Sequence, residues 1–286
     1  MIIISKNLVL PDVTGVDPNA PRIGYRNLIT PSNISADYED QQFPARNIGY
    51  PATNLKWRSI SLNEQYITVS VGANDGIDYV GFANHNFGTA GVAYLVQGSN
   101  DGSTWVDVSD EVIPNDDSPH VQLFELAVYT QYRVRLTPAT DKYPYCAVIY
   151  IGRMLSMQRN LYVGHSPVTL SRDTTFQTKN SENGNFLGRT IQREAMTCSA
   201  EFSNLTPSWY RIYFDPFVIA ARTLPFFWAW RPADYPAEVG FVWATDDIVP
   251  KNQRNNGMMG VGWKMRGIGA HISESAAADP DLETTT

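Results

Sequence analysis

Cysteine is scarce in this chain of 286 residues: Cys146 and Cys198 are the only two. Their wide separation fits neither a zinc-ligand spacing nor a disulfide framework, so two buried thiols are expected. Charge is also thin, with 18% charged residues against 43% hydrophobic ones. That balance is too apolar for a disordered chain and rich enough for a sizeable core. Long hydrophobic runs are missing. None approaches the roughly 18 residues that cross a bilayer as a helix, so no membrane insertion is expected. Met1 to Lys6 carries neither a basic lead nor an apolar stretch of about 7 residues, so export is not expected either. Basic residues are short in the first half, where residues 1–152 hold 9 Lys and Arg against 16 Asp and Glu. An acidic half grips a phosphate backbone poorly, and nucleic-acid binding is not expected. Residues 153–286 balance 13 basic against 13 acidic side chains, 10 of the basic ones Arg. That bias suits bidentate pairing with carboxylates in protein contacts.

Enzyme signatures are absent as well. Gly164-His165-Ser166-Pro167-Val168 misses the final glycine of a nucleophile elbow and reads as a loop. There is no glycine-rich phosphate loop with lysine and no His-Glu-x-x-His pair. His85, His120, His165 and His271 are scattered without metal spacing. No catalytic residue, metal or cofactor is therefore expected. A glycosidase escapes motif reading, because its two carboxylates come from distant positions. Against it stands scale, since small β modules leave little room for a long substrate cleft.

What is present is strand patterning. The length implies about two domains. Gly72-Ala73-Asn74-Asp75-Gly76 and Gly98-Ser99-Asn100-Asp101-Gly102 both end in Asn-Asp-Gly, which tolerates positive φ and reverses the chain. Around them, strands are expected at 66–71, 79–83, 92–97, 105–108, 121–126, 132–136 and 146–151. In the first, Ile67, Val69 and Val71 alternate with more polar residues. Short strands at this spacing indicate an antiparallel sandwich.

The same residues carry a resemblance. Ala52-Thr53-Asn54-Leu55, Trp57 and Ser59 lead into Gln65-Tyr66-Ile67-Thr68-Val69-Ser70-Val71-Gly72. Val96-Gln97-Gly98-Ser99-Asn100-Asp101-Gly102-Ser103-Thr104-Trp105 and Tyr132-Arg133-Val134-Arg135-Leu136 follow in order. Residues 45–152 thus resemble a discoidin-like (coagulation factor type C) module. The resemblance implies an eight-stranded jelly roll of the galactose-binding type. Many carbohydrate-binding relatives carry Asp-Gly after Asn-Leu in a calcium loop. Here Lys56-Trp57-Arg58 stands there, and a cation is a poor substitute for a hard oxygen donor.

The second half alternates broadly over 186–202, where one or two strands are expected. Thr206-Pro207 then opens a helix bearing Trp209, Ile212, Tyr213 and Phe217, with Pro216 expected to kink or divide it. Strands are expected again at 226–230, 239–244, 260–265 and 268–272. The fold class is therefore mainly β: a discoidin-like jelly-roll sandwich followed by a second β-rich domain with one short helix. The chain divides into an arm with the first strand or strands (1–44), the jelly roll (45–152), an assembly domain (153–272) and a disordered acidic tail (273–286).

Gly152-Arg153-Met154-Leu155-Ser156-Met157-Gln158-Arg159, Tyr162-Val163-Gly164-His165-Ser166-Pro167 and Pro225-Phe226-Phe227-Trp228-Ala229-Trp230-Arg231-Pro232 resemble baseplate or distal tail proteins of long-tailed bacteriophages. That resemblance implies a structural virion protein at the tail tip, assembled in the host cytoplasm. Its implied partners are other tail proteins (tail tube and hub), itself as a ring oligomer, and a host cell-surface glycan. The rival readings are a bacterial carbohydrate-binding protein unconnected with virions and, third, a glycoside hydrolase. Phe227, Trp228, Trp230 and Arg231 are the candidate oligomer interface, because a strand so aromatic on both faces needs one face for core and another for a contact.

The candidate ligand site is Asn84, His85, Asn86 and Phe87, with Trp57 and Arg58 from another loop. Asn and His make directional bonds to hydroxyls, and an aromatic ring stacks on a sugar's apolar face. The structural alternative stands beside it: His85 and Asn86 satisfy backbone groups at a strand end, and Trp57 is the sandwich's core tryptophan.

Overall fold

The computed structural model describes residues 1–4, 17–161, 163–253 and 255–268. The tail read at 273–286, His271 and most of the strand read at 268–272 lie outside them.

In chain order, the first strands are β1 (Ile2–Ile4), β2 (Arg22–Gly24), β3 (Ile34–Ala36), β4 (Trp57–Arg58), β5 (Gln65–Ser70) and β6 (Ile77–His85). Next come β7 (Ala93–Ser99), β8 (Val106–Asp107), β9 (His120–Ala127), β10 (Gln131–Thr137), β11 (Tyr145–Gly152) and β12 (Leu155–Ser156). The second half adds β13 (Asp173–Asn180), β14 (Phe186–Leu205), β15 (Phe226–Ala229), β16 (Val239–Ala244), β17 (Val249–Asn252) and β18 (Met259–Ile268). They form three sheets: an outer one ordered β3-β5-β10-β7-β8, a middle one ordered β1-β9-β6-β11-β4, and a third ordered β12-β2-β15-β16-β18-β14-β13 with β17 on β18.

The outer sheet keeps the period-two pattern because one of its faces meets solvent. In β5, Gln65, Ile67 and Val69 are buried while Tyr66, Thr68 and Ser70 face out; in β10, Tyr132, Val134 and Leu136 are buried. These side chains meet Phe82, Trp57 and Ile149 of the middle sheet in the jelly-roll core. Gly72, Gly76 and Gly102 of the two Asn-Asp-Gly turns have φ of +67°, +86° and +73°, a region that glycine enters without a Cβ penalty.

The middle sheet loses that pattern because both its faces are covered. β11 is buried from Cys146 to Gly152, and β6 nearly so. On the far side of the jelly-roll core, Tyr79, Ala83, Val148 and Tyr150 pack against Phe227, Ala229, Val239 and Phe241 of the third sheet. A Cβ at Gly81 would stand 2.7 Å from the Phe227 ring, so the close approach of the two sheets needs a residue without a side chain there. The opposite face of the third sheet carries Trp228, Phe202, Trp263 and Val242 against Tyr210, Phe214 and Phe217 of the helical segment.

The N-terminal arm laces the two bodies together. β1 lies parallel to β9 in the middle sheet, the one parallel pairing among the described strands, whereas β2 pairs with β12 and β15 in the third. The helical segment runs from α1 (Pro207–Trp209) through a π-helical turn (Tyr210–Phe214) into α2 (Asp215–Ala221). Pro216 thus divides the helix as expected. The wider turn just before it takes up the clash of the proline ring with the carbonyl four residues back.

β14 is one strand of 20 residues. Its second part pairs with β18, while its first part pairs only with β13, a mostly exposed strand whose single apolar residue, Phe176, makes no hydrophobic pattern to announce it. Together they form a two-stranded ribbon.

Candidate functional site

Four connections converge at one end of the jelly roll: β3 to β4, β6 to β7, β8 to β9, and β10 to β11. β4 and β11 pair through Arg58 with Tyr145 and Trp57 with Cys146, which sets Arg58 beside the Tyr145 backbone. The segment before β4 folds back on it: Asp40 N donates to Arg58 O at 2.9 Å, and Arg58 N donates to Phe43 O at 3.1 Å. The Arg58 side chain closes the loop by a charge-assisted hydrogen bond to the Asp40 carboxylate. That bond holds the Asp40 carboxyl below the usual carboxylate range, helped by the backbone N–H of Gln42.

Two half-buried rings, Phe43 and Tyr145, lie under the cations. The Arg58 guanidinium sits 4.7 Å from the Phe43 centroid; the Lys56 ammonium sits 4.3 Å from Tyr145 and 5.5 Å from Phe43. Tyr143, two residues before Tyr145, is exposed. The end of the sandwich therefore presents ring surface, two cations and a carboxylate within one patch, the set of groups that meets a pyranose's apolar face and its hydroxyls.

Of the six residues expected to bind ligand, Arg58 alone belongs to this patch. Trp57 is fully buried in the jelly-roll core, its Nε1 donating to Tyr38 O at 3.1 Å. Phe87 is fully buried as well. Asn84 takes φ of +50° and donates to Thr53 O. Asn86 donates to Tyr143 O at 2.9 Å and accepts from Tyr145 N at 2.8 Å. His85 accepts from Phe87 N at 3.1 Å and faces Ser118 O at 3.1 Å through its other nitrogen. This loop satisfies backbone groups, which is the structural alternative named above; Asn84 ties it to the β3–β4 connection, Asn86 to β11 and the residues just before it, and His85 to the loop after β8. Sequence reasoning missed Asp40, Phe43, Lys56, Tyr143 and Tyr145. The Tyr-Pro-Tyr run just before the last jelly-roll strand was the readable signal; Asp40 has no local one, because its partner lies far along the chain.

Burial removes hydration from the imidazolium of His85 and lowers its pKa to about 4. His120, its ring centroid 4.9 Å away, is pushed well below the ordinary histidine value for the same reason. Both thiols are buried and unpaired, and burial raises each to about 12. Among the described residues, no three His, Cys, Asp or Glu side chains converge as metal ligands.

The expected interface strand meets a different fate. Phe227 fills the space between the middle and third sheets, and Trp228 the core under the helix. Both faces of β15 are thus core, the second covered by the chain's own jelly roll where a subunit contact was expected. Trp230, half-buried, stacks on Tyr235 at 5.4 Å and donates to Glu238, while Arg231 pairs with Asp234 at 2.7 Å. A hollow of about 470 Å³ lined by Arg159, Asn160, Ser203 and Asn204 belongs to the second body.

Residues 30–150 match the F5/8 type C domain family. They form an F5/8 type C domain. The domain begins ahead of residue 45 and takes in β3 and the Asp40–Phe43 turn of the patch. Solved structures resemble part of the chain. Chitosan-binding module 1 of the chitosanase/glucanase from Paenibacillus sp. IK-5 is 20% identical, covering 44% of this chain and 98% of its own, with a TM-score of 0.39. CpGH89CBM32-5 of Clostridium perfringens, in complex with GalNAc-β-1,3-galactose, is 15% identical over 42% and 93%, with a TM-score of 0.38. The family 32 module of C. perfringens NanJ, in complex with galactose, is 15% identical over 46% and 98%, with a TM-score of 0.37. No curated protein sequence matches the chain.

Proposed function

We propose that this chain is a carbohydrate-binding protein whose F5/8 type C domain meets saccharide at its loop end, without making or breaking a bond. The observation that carries the reading is the Phe43, Lys56, Arg58, Asp40 and Tyr145 patch. Its rings supply apolar surface for a sugar's C–H face. Arg58 and Lys56 donate to hydroxyl oxygens and Asp40 accepts hydroxyl protons, with Arg58 and Asp40 held by their mutual bond and Lys56 lying over the two rings. Such a shallow site is weak alone and gains strength when several copies act together. A glycan array probed with the full chain and with Arg58→Ala tests it: saccharide retention that falls in the variant supports the reading, and no retention by either protein ends it.

A second reading, a structural component of a phage tail tip that assembles with itself and with tube and hub proteins, is favoured by one observation of its own. On the β13–β14 ribbon, Phe176 and Ile191 are register partners, and Leu187 stands at the bulge nearer the tip. All three are exposed, as is Phe186 near the tip. An isolated two-stranded ribbon is marginal in water and calls for a cover over such a face. Native mass spectrometry of the full chain and of Phe176→Ser/Leu187→Ser tests this reading. A discrete oligomer that dissociates in the variant supports it; a monomer at all concentrations removes it.

A further inference from the structure

The middle sheet is covered on both faces, so the outer sheet holds the jelly roll's one open face. At its centre stands Arg133 of β10. β5 and β7 flank β10 on its two sides, and each sends a ring over the guanidinium. Tyr66 comes from β5, its centroid 4.0 Å from the guanidinium carbon; Trp105 comes from the β7–β8 connection, at 4.2 Å. Arg133 Nε donates to Gln97 Oε1 at 2.7 Å, and Gln97 in turn donates to Asp107 Oδ1 at 2.6 Å. The side chain is therefore fixed on its flat surfaces and at one nitrogen. Its neighbour Arg135 pairs with Glu111 at 2.8 Å, whereas Arg133 forms no ion pair among the described residues. Only the outer edge of the guanidinium, Nη1 and Nη2, is left to offer donors.

We propose that Arg133 centres a second saccharide-contact site on this open face, a deepening that rests on the carbohydrate reading above. A rigid two-nitrogen edge fits two adjacent oxygens, and its preorganisation spares the ordering cost that a free arginine meets on binding. Asp37, Glu64, Asp107 and Glu111 surround the site. They repel an anionic sugar and accept protons from hydroxyls, so the ligand class is a neutral oligosaccharide laid across the strands, with half-buried Trp105 and Tyr66 beside it.

The test uses ¹⁹F NMR of the full chain labelled with 5-fluorotryptophan, the Trp105 signal being assigned with Trp105→Phe. Probes are hexasaccharides of β-1,4-linked glucose, galactose or N-acetylglucosamine, and an oligogalacturonate of equal length. The expected result is a Trp105 shift with a neutral hexasaccharide, and affinity about tenfold weaker or worse in Arg133→Lys, which keeps the charge and loses the fork. Melting temperature should stay unchanged in that variant; a purely structural stack lowers it and leaves affinity alone. If saccharide binds with Trp105 silent, and binding survives Arg133→Lys but not Arg58→Ala, this inference falls and the loop-end reading stands. A Trp105 response to oligogalacturonate alone overturns the neutral assignment. No binding by any probe sinks both.

Discussion

Acid should loosen the jelly roll before it protonates ordinary carboxylates, and His85 sets the scale. In the unfolded chain this imidazole titrates near 6.5, whereas in the folded chain burial lowers its pKa to about 4. The folded state therefore binds fewer protons than the unfolded state across that interval. The stability is fully present above pH 6.5 and is lost as pH falls towards 4, after which the loss levels off. The drop from 6.5 to about 4 corresponds to roughly 3 kcal/mol from His85 alone. His120 is shifted in the same direction and adds to the loss, as does the Met1 ammonium, lowered to about 5 by burial and donating to Pro119 O at 2.7 Å. Asp116 and Asp117 oppose part of the effect by favouring the charged imidazole. Urea unfolding between pH 7.5 and 4.5, followed by tryptophan fluorescence, measures it. The free energy should fall with pH, and His85→Gln should flatten the slope by about 1.4 kcal/mol per pH unit, one proton's share. A stability flat from pH 7 to 4.5, or an unchanged slope in the variant, refutes the argument.

Three further outcomes follow from packing. Gly81→Ala brings a Cβ to 2.7 Å from the Phe227 ring and should cost about 1–3 kcal/mol by chemical denaturation. Phe227→Ala empties the layer between the middle and third sheets and should cost about 3–5 kcal/mol without changing the oligomeric state. Cys146 and Cys198, both held near 12 by burial, should resist a thiol reagent at pH 8 in the folded chain and react together on unfolding.

Where one face of a strand meets water, its sequence announces it. β5 and β10 alternate, and the Asn-Asp-Gly turns fall where the glycines reach positive φ. β6 and β11 read as strands too, but their unbroken apolar runs are the mark of a sheet covered on both sides. That mark, together with Gly81 opposite Phe227, explains why the aromatic strand β15 finds its second face inside the same chain. The short arm strands β1 and β2 gave no signal of their pairing, because three residues hold no periodicity and their partners are far away. The site was legible only in outline. Arg58 stands in the loop-end patch, whereas His85, Asn86 and Phe87 have the composition of a ligand loop and the bonding of a structural one. Only the fold distinguishes those roles, since it decides which backbone groups need partners.

The most direct measurement is saccharide affinity of the full chain by isothermal titration, using the strongest hit from a glycan array, set against Phe43→Ala, Arg58→Ala and Asp40→Asn. The account predicts affinity at least about tenfold weaker in each, a difference of about 1.4 kcal/mol or more, with each variant still folded by circular dichroism. Undiminished affinity in all three, or no saccharide held by the unaltered protein, contradicts it.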